Sequence, residues 1–169
     1  MPSTELEQLY DAHAQALFAF LLNFTRNEYD TQEILQDLFS RLSERPELLR
    51  GVQDPRGFLL RMAHHRAIDL IRRQETRRRA THSLAEESTE LFARTPDPDE
   101  AAFQIELAAA LGELPSDQRA VVHLRLWEEL SFLQIAKILD LSPNTAASRY
   151  RYGLDKLRHH LRPLYDEIR

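Results

Sequence analysis

The chain has 169 residues, is 43% hydrophobic and 29% charged, and carries four glycines, eight prolines, no cysteine and a formal net charge of −5. That length fits one ordinary domain or two small ones, while so little glycine argues against a turn-rich β-sandwich and the missing cysteine excludes a disulfide framework or thiolate metal site, as suits a reducing cytoplasm. The longest apolar run, Ala16 to Leu22, is seven residues, too short for a membrane span, and the acidic stretch Met1 to Gln8 lacks the apolar core of a secretory signal.

Periodicity is helical almost throughout. Thr4 and Glu7 have the spacing of a capping box, and Leu6, Leu9, Tyr10, Leu17, Leu21 and Phe24 follow at helical intervals. After a break at Asn27 to Asp30, a second helix is expected from Asp30, with Glu33 three residues on and Ile34, Leu35, Leu38 and Leu42 buried. Residues 44–56 are irregular around Pro46, Gly51 and Pro55. Asp54 and Pro55 read as the N-cap and first position of a long helix that buries Leu59, Met62, Ala63, Ala67, Leu70 and Ile71. Its other stripe is Arg61, His65, Ile68 and Arg72, running on into Arg73, Arg77, Arg78 and Arg79. Residues 81–99 have no sustained period and collect Ser, Thr, Pro and acids, the composition of a linker. A helix from about Asp99 to Leu114 follows, then another from Leu114-Pro115-Ser116 to about Trp127. The expected fold is all-α: two small helical domains, 1–80 and 100–169, joined by a flexible linker at 81–99.

Charge alternates along this plan. Residues 1–49 hold three Arg and nine acids, residues 50–82 nine Arg and three acids, and residues 83–112 one Arg and seven acids. The remainder, 113–169, has nine bases against eight acids, with Arg149, Arg151, Lys156, Arg158 and Arg162 crowded into 145–162. Basic patches of this kind suit phosphate contact, or are simply solvated faces.

Residues 131–161 are the most informative. Ser131 and Gln134 form an S-x-x-Q cap ahead of Ile135, Ala136 and Leu139, and Asp140-Leu141-Ser142 makes a tight turn. Ser142 then caps a second helix with Pro143 at its first position, burying Ala146, Tyr150, Leu154, Leu157 and Leu161. Two short helices joined by a three-residue turn give a helix-turn-helix. Outside it leaves Asn144, Thr145, Ala147, Ser148, Arg149, Arg151, Tyr152 and Lys156, amide, hydroxyl and guanidinium groups near the end that enters a major groove. An αα-hairpin in a bundle would also put polar residues outside, but cap, turn, proline and basic face agree on DNA. In the first domain the basic helix 56–79 can track a phosphate backbone. Phe58 is the only aromatic between 43 and 80, so unpaired bases there would be held by the polar loop Arg50, Gln53 and Asp54 receiving a flipped base rather than by stacking. Otherwise the helix is a duplex clamp.

These blocks resemble the sigma-70 family of bacterial RNA polymerase initiation factors, specifically its small extracytoplasmic-function group. Asp30 to Phe39 is similar to the helix that family uses on the polymerase clamp, and Pro55 to Arg73 to its −10 reading helix. Leu114 to Arg119, Leu130 to Ala136 and Ser142 to Arg149 look like its −35 reading domain. The resemblance implies a non-enzymatic factor with no cofactor, whose partners are core RNA polymerase and promoter DNA, with an anti-sigma factor as a further candidate and no insertion into membranes. At matching positions it places Gln36, Asp37, Leu38 and Arg41 on the polymerase clamp. It places Arg50, Gln53 and Asp54 at a flipped −10 base, with Arg61, His65, Arg72 and Arg73 along the backbone. Ala147, Ser148, Arg151 and Tyr152 would face −35 bases, while Arg149 and Thr145 hold phosphates. The acidic linker would thread the polymerase channel. Asp140 stands where the family often has glycine and Ala146 where it often has valine. Ala147 brings no hydrogen bond, so its readout would be apolar contact or DNA shape.

Three other readings compete. A polymerase-independent helix-turn-helix regulator would bind its operator tightly alone, whereas a sigma factor with a net charge of −5 would bind weakly alone. A helical adaptor would bind polymerase without DNA. An enzyme would need His64-His65 with Asp69, or Asp30, Glu33 and Asp37, as its centre. Adjacent histidines diverge by about 100° on a helix, and no histidine or phosphate-cradling loop lies beside the acidic stripe. Those groups, like His159-His160, read as solvated or partner-binding faces.

Overall fold

The computed structural model describes residues 3–81 and 97–167, which contain seven α-helices, one 3-10 turn and no strand. In order these are α1 (Ser3–Thr25), α2 (Glu28–Glu44), the 3-10 turn Pro46–Leu49, α3 (Pro55–Thr81), α4 (Pro98–Glu113), α5 (Ser116–Leu126), α6 (Phe132–Leu139) and α7 (Pro143–Glu167). The expected all-α class holds. The chain separates into two compact units, the first carrying α1 to α3 and the second α4, α5, α7 and most of α6. Residues 82–96, nearly all of the expected linker, lie outside the described residues. At its margins Thr81 still belongs to α3 and Pro98 and Asp99 already belong to α4.

In the first unit, α1 packs on α2 and α3, and α2 packs on α3. Their apolar stripes supply a core of Leu17, Phe20, Leu21, Leu38, Leu42, Leu59 and Leu60, all essentially inaccessible. Tyr10, in the expected apolar spacing of α1, is 46% exposed and makes an edge-on contact with Phe39 at 4.9 Å. Helix α1 already includes Ser3, so Thr4 is not its N-cap. Nor does Asp30 cap α2: Asn27 does, its side chain accepting the Asp30 N–H at 2.8 Å. Asp30 is then free to turn inward, where its Oδ2 accepts from Gln74 Nε2 of α3 at 2.8 Å. The turn between α1 and α2 is locked by Thr25 Oγ1, which donates to Asn27 O and lies 2.9 Å from the buried Thr31 hydroxyl.

In the second unit, α4 runs close to the expected span, and Asp97 caps it, accepting from the Asp99 N–H at 3.0 Å, with Pro98 at the first turn. A core of Ala110, Leu111, Leu114, Val122 and Leu157 is flanked by Leu107, Tyr150 and Leu161. Arg119 of α5 is buried and donates Nη1 to Leu111 O and Leu114 O at 3.4 and 3.0 Å, supplementing the Leu114 N–H bond to Leu111 O at the end of α4. Helix α7 crosses α5 closely at Gly153, where a Cβ would lie 2.8 Å from Val122 Cγ2 and 3.5 Å from Gln118 Cβ. Any larger residue there would push the helices apart.

Candidate nucleic-acid interface

The helix-turn-helix is built by short-range signals. Ser131 Oγ accepts the Gln134 N–H at 3.2 Å while Gln134 Oε1 accepts the Ser131 N–H at 2.9 Å, a complete capping box. Ahead of it, Arg125 donates to Leu130 O at 2.9 Å and lies 4.6 Å over the Phe132 ring, bracing the turn from α5. Helix α6 ends at Asp140 in the left-handed conformation, φ 56°, with the Leu141 N–H returning to Ala136 O at 2.9 Å. Ser142 Oγ then accepts the Thr145 N–H at 3.1 Å and donates to Thr145 Oγ1 at 2.8 Å, launching α7 from Pro143.

Along α7, Asn144, Arg151, Tyr152 and Lys156 are exposed, while Thr145, Ala147, Ser148 and Arg149 are half-buried. Asn144, Ser148 and Arg151 with Tyr152 succeed one another at intervals of four and three, so they share one face. The Arg151 guanidinium lies 5.3 Å from the Tyr152 ring centroid, which holds both side chains at the surface. Arg149 Nε is 3.4 Å from Asp117 Oδ2 of α5, so this arginine is anchored to its own unit. Thr145 is committed in part to the cap of its own helix.

In the first unit Arg50, Gln53 and Asp54 are exposed in the loop before α3. Asp54 caps that helix as expected, with Oδ1 accepting the Gly57 N–H at 3.1 Å and its carbonyl the Phe58 N–H. A Cβ at Gly57 would collide with the Asp54 carboxylate, so glycine is what lets the cap close. Arg61, His65, Arg72 and Arg73 are exposed along α3. Arg61 and His65 border an open cavity of about 430 Å³ shared with Arg41, Arg66 and Asp69, over an apolar floor of Leu48, Phe58 and Met62.

On α2, Gln36 and Asp37 are exposed and Arg41 is half-buried. Leu38 is 0% exposed, sealed in the core by α1 and α3, and offers no surface to a partner. The expected docking face therefore contracts to Gln36, Asp37 and Arg41. Arg66 of α3, absent from the sequence-based site, pairs Nη1 with Asp37 Oδ2 at 2.7 Å. Nothing local could reveal that pair, because its members lie 29 positions apart.

The histidines and acids weighed as an enzyme centre diverge. His64 is buried edge-on against Phe24 at 5.3 Å, whereas His65 faces outward. Asp30 points inward to Gln74, Asp37 pairs with Arg66, and Glu33 is exposed between them.

Comparison with known proteins agrees with this geometry. A family model described as Sigma-70 region 2 matches residues 9–77, and one described as Sigma-70, region 4 matches residues 104–157. The ECF RNA polymerase sigma factor SigX of Bacillus subtilis is 32% identical over 95% of this chain and 85% of its own length. SigL of Mycobacterium tuberculosis, also an ECF RNA polymerase sigma factor, is 29% identical over 94% of this chain and 90% of its own. A co-crystal structure of the sigma factor RpoE with the anti-sigma factor NepR from Bartonella quintana superimposes with a TM-score of 0.81 at 18% identity, covering 94% of this chain and 97% of the other. That last likeness is one of fold.

Proposed function

The chain belongs to the sigma-70 family, in its extracytoplasmic-function group, and from that premise we propose how its work is divided among residues. It is a transcription initiation factor and not an enzyme: it binds core RNA polymerase and directs it to specific promoters. The regulator reading is set aside, because a sigma region 2 accompanies the helix-turn-helix and relatives match along nearly the whole chain.

The second unit, within 100–169, reads the −35 duplex. Asn144, Ala147, Ser148, Arg151 and Tyr152 face the bases, Thr145 and Lys156 approach phosphates, and Arg149, tethered to Asp117, orients the helix as well as touching the backbone. The first unit, within 1–80, docks on core polymerase through Gln36, Asp37 and Arg41. It captures a flipped −10 base with Arg50, Gln53 and Asp54, and lines the strand with Arg61, His65, Arg72 and Arg73. Capturing a flipped base offsets the few kcal/mol of unpairing. The segment between α3 and α4, the expected linker 81–99 less its helical margins, links the two. The protein acts in the cytoplasm, where polymerase and promoter are; among the described residues no helix is long and apolar enough to cross a membrane. An anti-sigma factor, the partner in the Bartonella complex, is proposed on likeness of fold alone.

The observation that carries the −35 reading is the Ser142-capped start of α7, which presents Asn144, Ser148, Arg151 and Tyr152 on one face. Run-off transcription with core polymerase on a genomic fragment library tests it. Arg151→Glu is the informative variant, since Arg149 also serves the fold. It should lower promoter-selective initiation by roughly five- to 150-fold, the range of ~1–3 kcal/mol for a good base contact, while core polymerase is still retained in a pull-down. Undiminished selective initiation by that variant would remove α7 as the reading element.

A further inference from the structure

Resting on the assignment of Asp37 to polymerase docking, we propose that Arg66 is a relay between the docking and −10 surfaces: polymerase takes the Asp37 carboxylate, and the released arginine joins the contacts to the −10 strand's phosphates.

Arg66 lies on α3, the basic helix, and reaches across to α2, the docking helix, with Nη1 2.7 Å from Asp37 Oδ2. The two ends of this pair are unequally accessible. The Asp37 side chain is 52% exposed and the Arg66 side chain 26% exposed, so an incoming partner meets the carboxylate first. Arg66 also borders the open cavity already holding Arg41, Arg61 and His65. On that lining, three arginines face one acid, Asp69. Asp37 cancels one more positive charge from outside while the pair is closed. Opening the pair therefore adds one guanidinium to a concave, already basic surface with an apolar floor, a setting suited to a sugar-phosphate unit. Arginine is the appropriate residue, because its fork binds carboxylate and phosphate oxygens with the same bidentate geometry and can exchange one for the other. A partly exposed pair contributes little stability, so displacing the arginine costs polymerase little. Coupling of this kind is reciprocal: DNA that occupies Arg66 leaves Asp37 more available to polymerase.

The test is a double-mutant cycle on the full-length chain without polymerase. The readout is the salt dependence of binding to single-stranded oligodeoxythymidine. Asp37→Asn should tighten binding at low salt and steepen the slope of log K against log salt by about 0.7, one extra single-strand phosphate contact. Between 50 and 200 mM salt that gain should shrink roughly 2.6-fold, which is four to the power 0.7. In an Arg66→Ala background the same substitution should change the slope far less, and Arg66→Lys should restore only part of the effect. Glu33→Gln adds the same charge to the same helix without touching the pair, and should leave the slope near that of the parent. Matching circular dichroism melts establish that each variant is folded. A folded Asp37→Asn protein with an unchanged slope, or an equal gain with and without Arg66, overturns the relay. Core-polymerase affinity of Asp37→Asn is measured separately. If it is unchanged, Asp37 is no docking residue and polymerase does not operate the exchange, even where the slope moves.

Discussion

His123 is enclosed on α5, its ring stacked on Trp127 at a centroid distance of 5.3 Å. Burial disfavours the imidazolium and pushes its pKa down to about 4 from the usual 6.5. The unfolded chain therefore binds a proton between pH 6.5 and 4 that the folded chain refuses. Stability is complete above pH 6.5 and declines as pH falls through that window. Acidifying from pH 7 to 5 should cost roughly 2 kcal/mol through this one residue, read from urea unfolding at the two pH values. A His123→Phe variant, which keeps an aromatic ring beside Trp127, should lose most of that dependence; if it retains the full dependence, another group is responsible. The sequence shows a histidine in the run Ala120 to Leu124, but its enclosure comes from the packing around α5. Leu38 teaches the same lesson in reverse. Family likeness placed it on a docking face, yet it points from α2 into the core with 0% exposure.

Among the elements, α6 was the most legible, since its capping box, left-handed stop at Asp140 and following Ser142 cap all lie within a few residues. Helix α6 has only eight residues, so little besides its caps and one apolar face fixes it. Replacing Ser131 by alanine should cost about 1 kcal/mol, seen as a lower urea midpoint with an unchanged m-value. An unaltered midpoint would mean that Gln134 and the Arg125 brace suffice. The starts of α2 and α4, expected near Asp30 and at about Asp99, fall at Glu28 and Pro98, with Asn27 and Asp97 as the caps. In each case a cap-forming residue stands two or three positions before an acid that could serve equally well by type. For Asp30 the choice is made by Gln74, 44 positions away, which draws its carboxylate inward. Tertiary contact of that separation leaves no local trace.

Across the whole molecule, the net charge of −5 conceals an alternation of acidic and basic segments, so the total says little about any one surface. Replacing both Arg72 and Arg73 by glutamine should flatten the salt slope of single-strand binding by about 1.4, twice 0.7. An unchanged slope in the folded variant would remove that end of α3 from the strand's path. The chain order of the elements, the all-α class, the helix-turn-helix and both basic stripes were determined by the sequence alone, because helical periodicity, capping and charge are properties of near neighbours. Tertiary structure alone decided that Leu38 is core, that Gly153 is the close approach of α7 to α5, that Arg119 serves the end of α4 and that Arg66 holds Asp37. Each of these depends on which helix faces are brought together, and a buried pair, a close crossing or a shared carbonyl exists only after two distant stretches of chain have met.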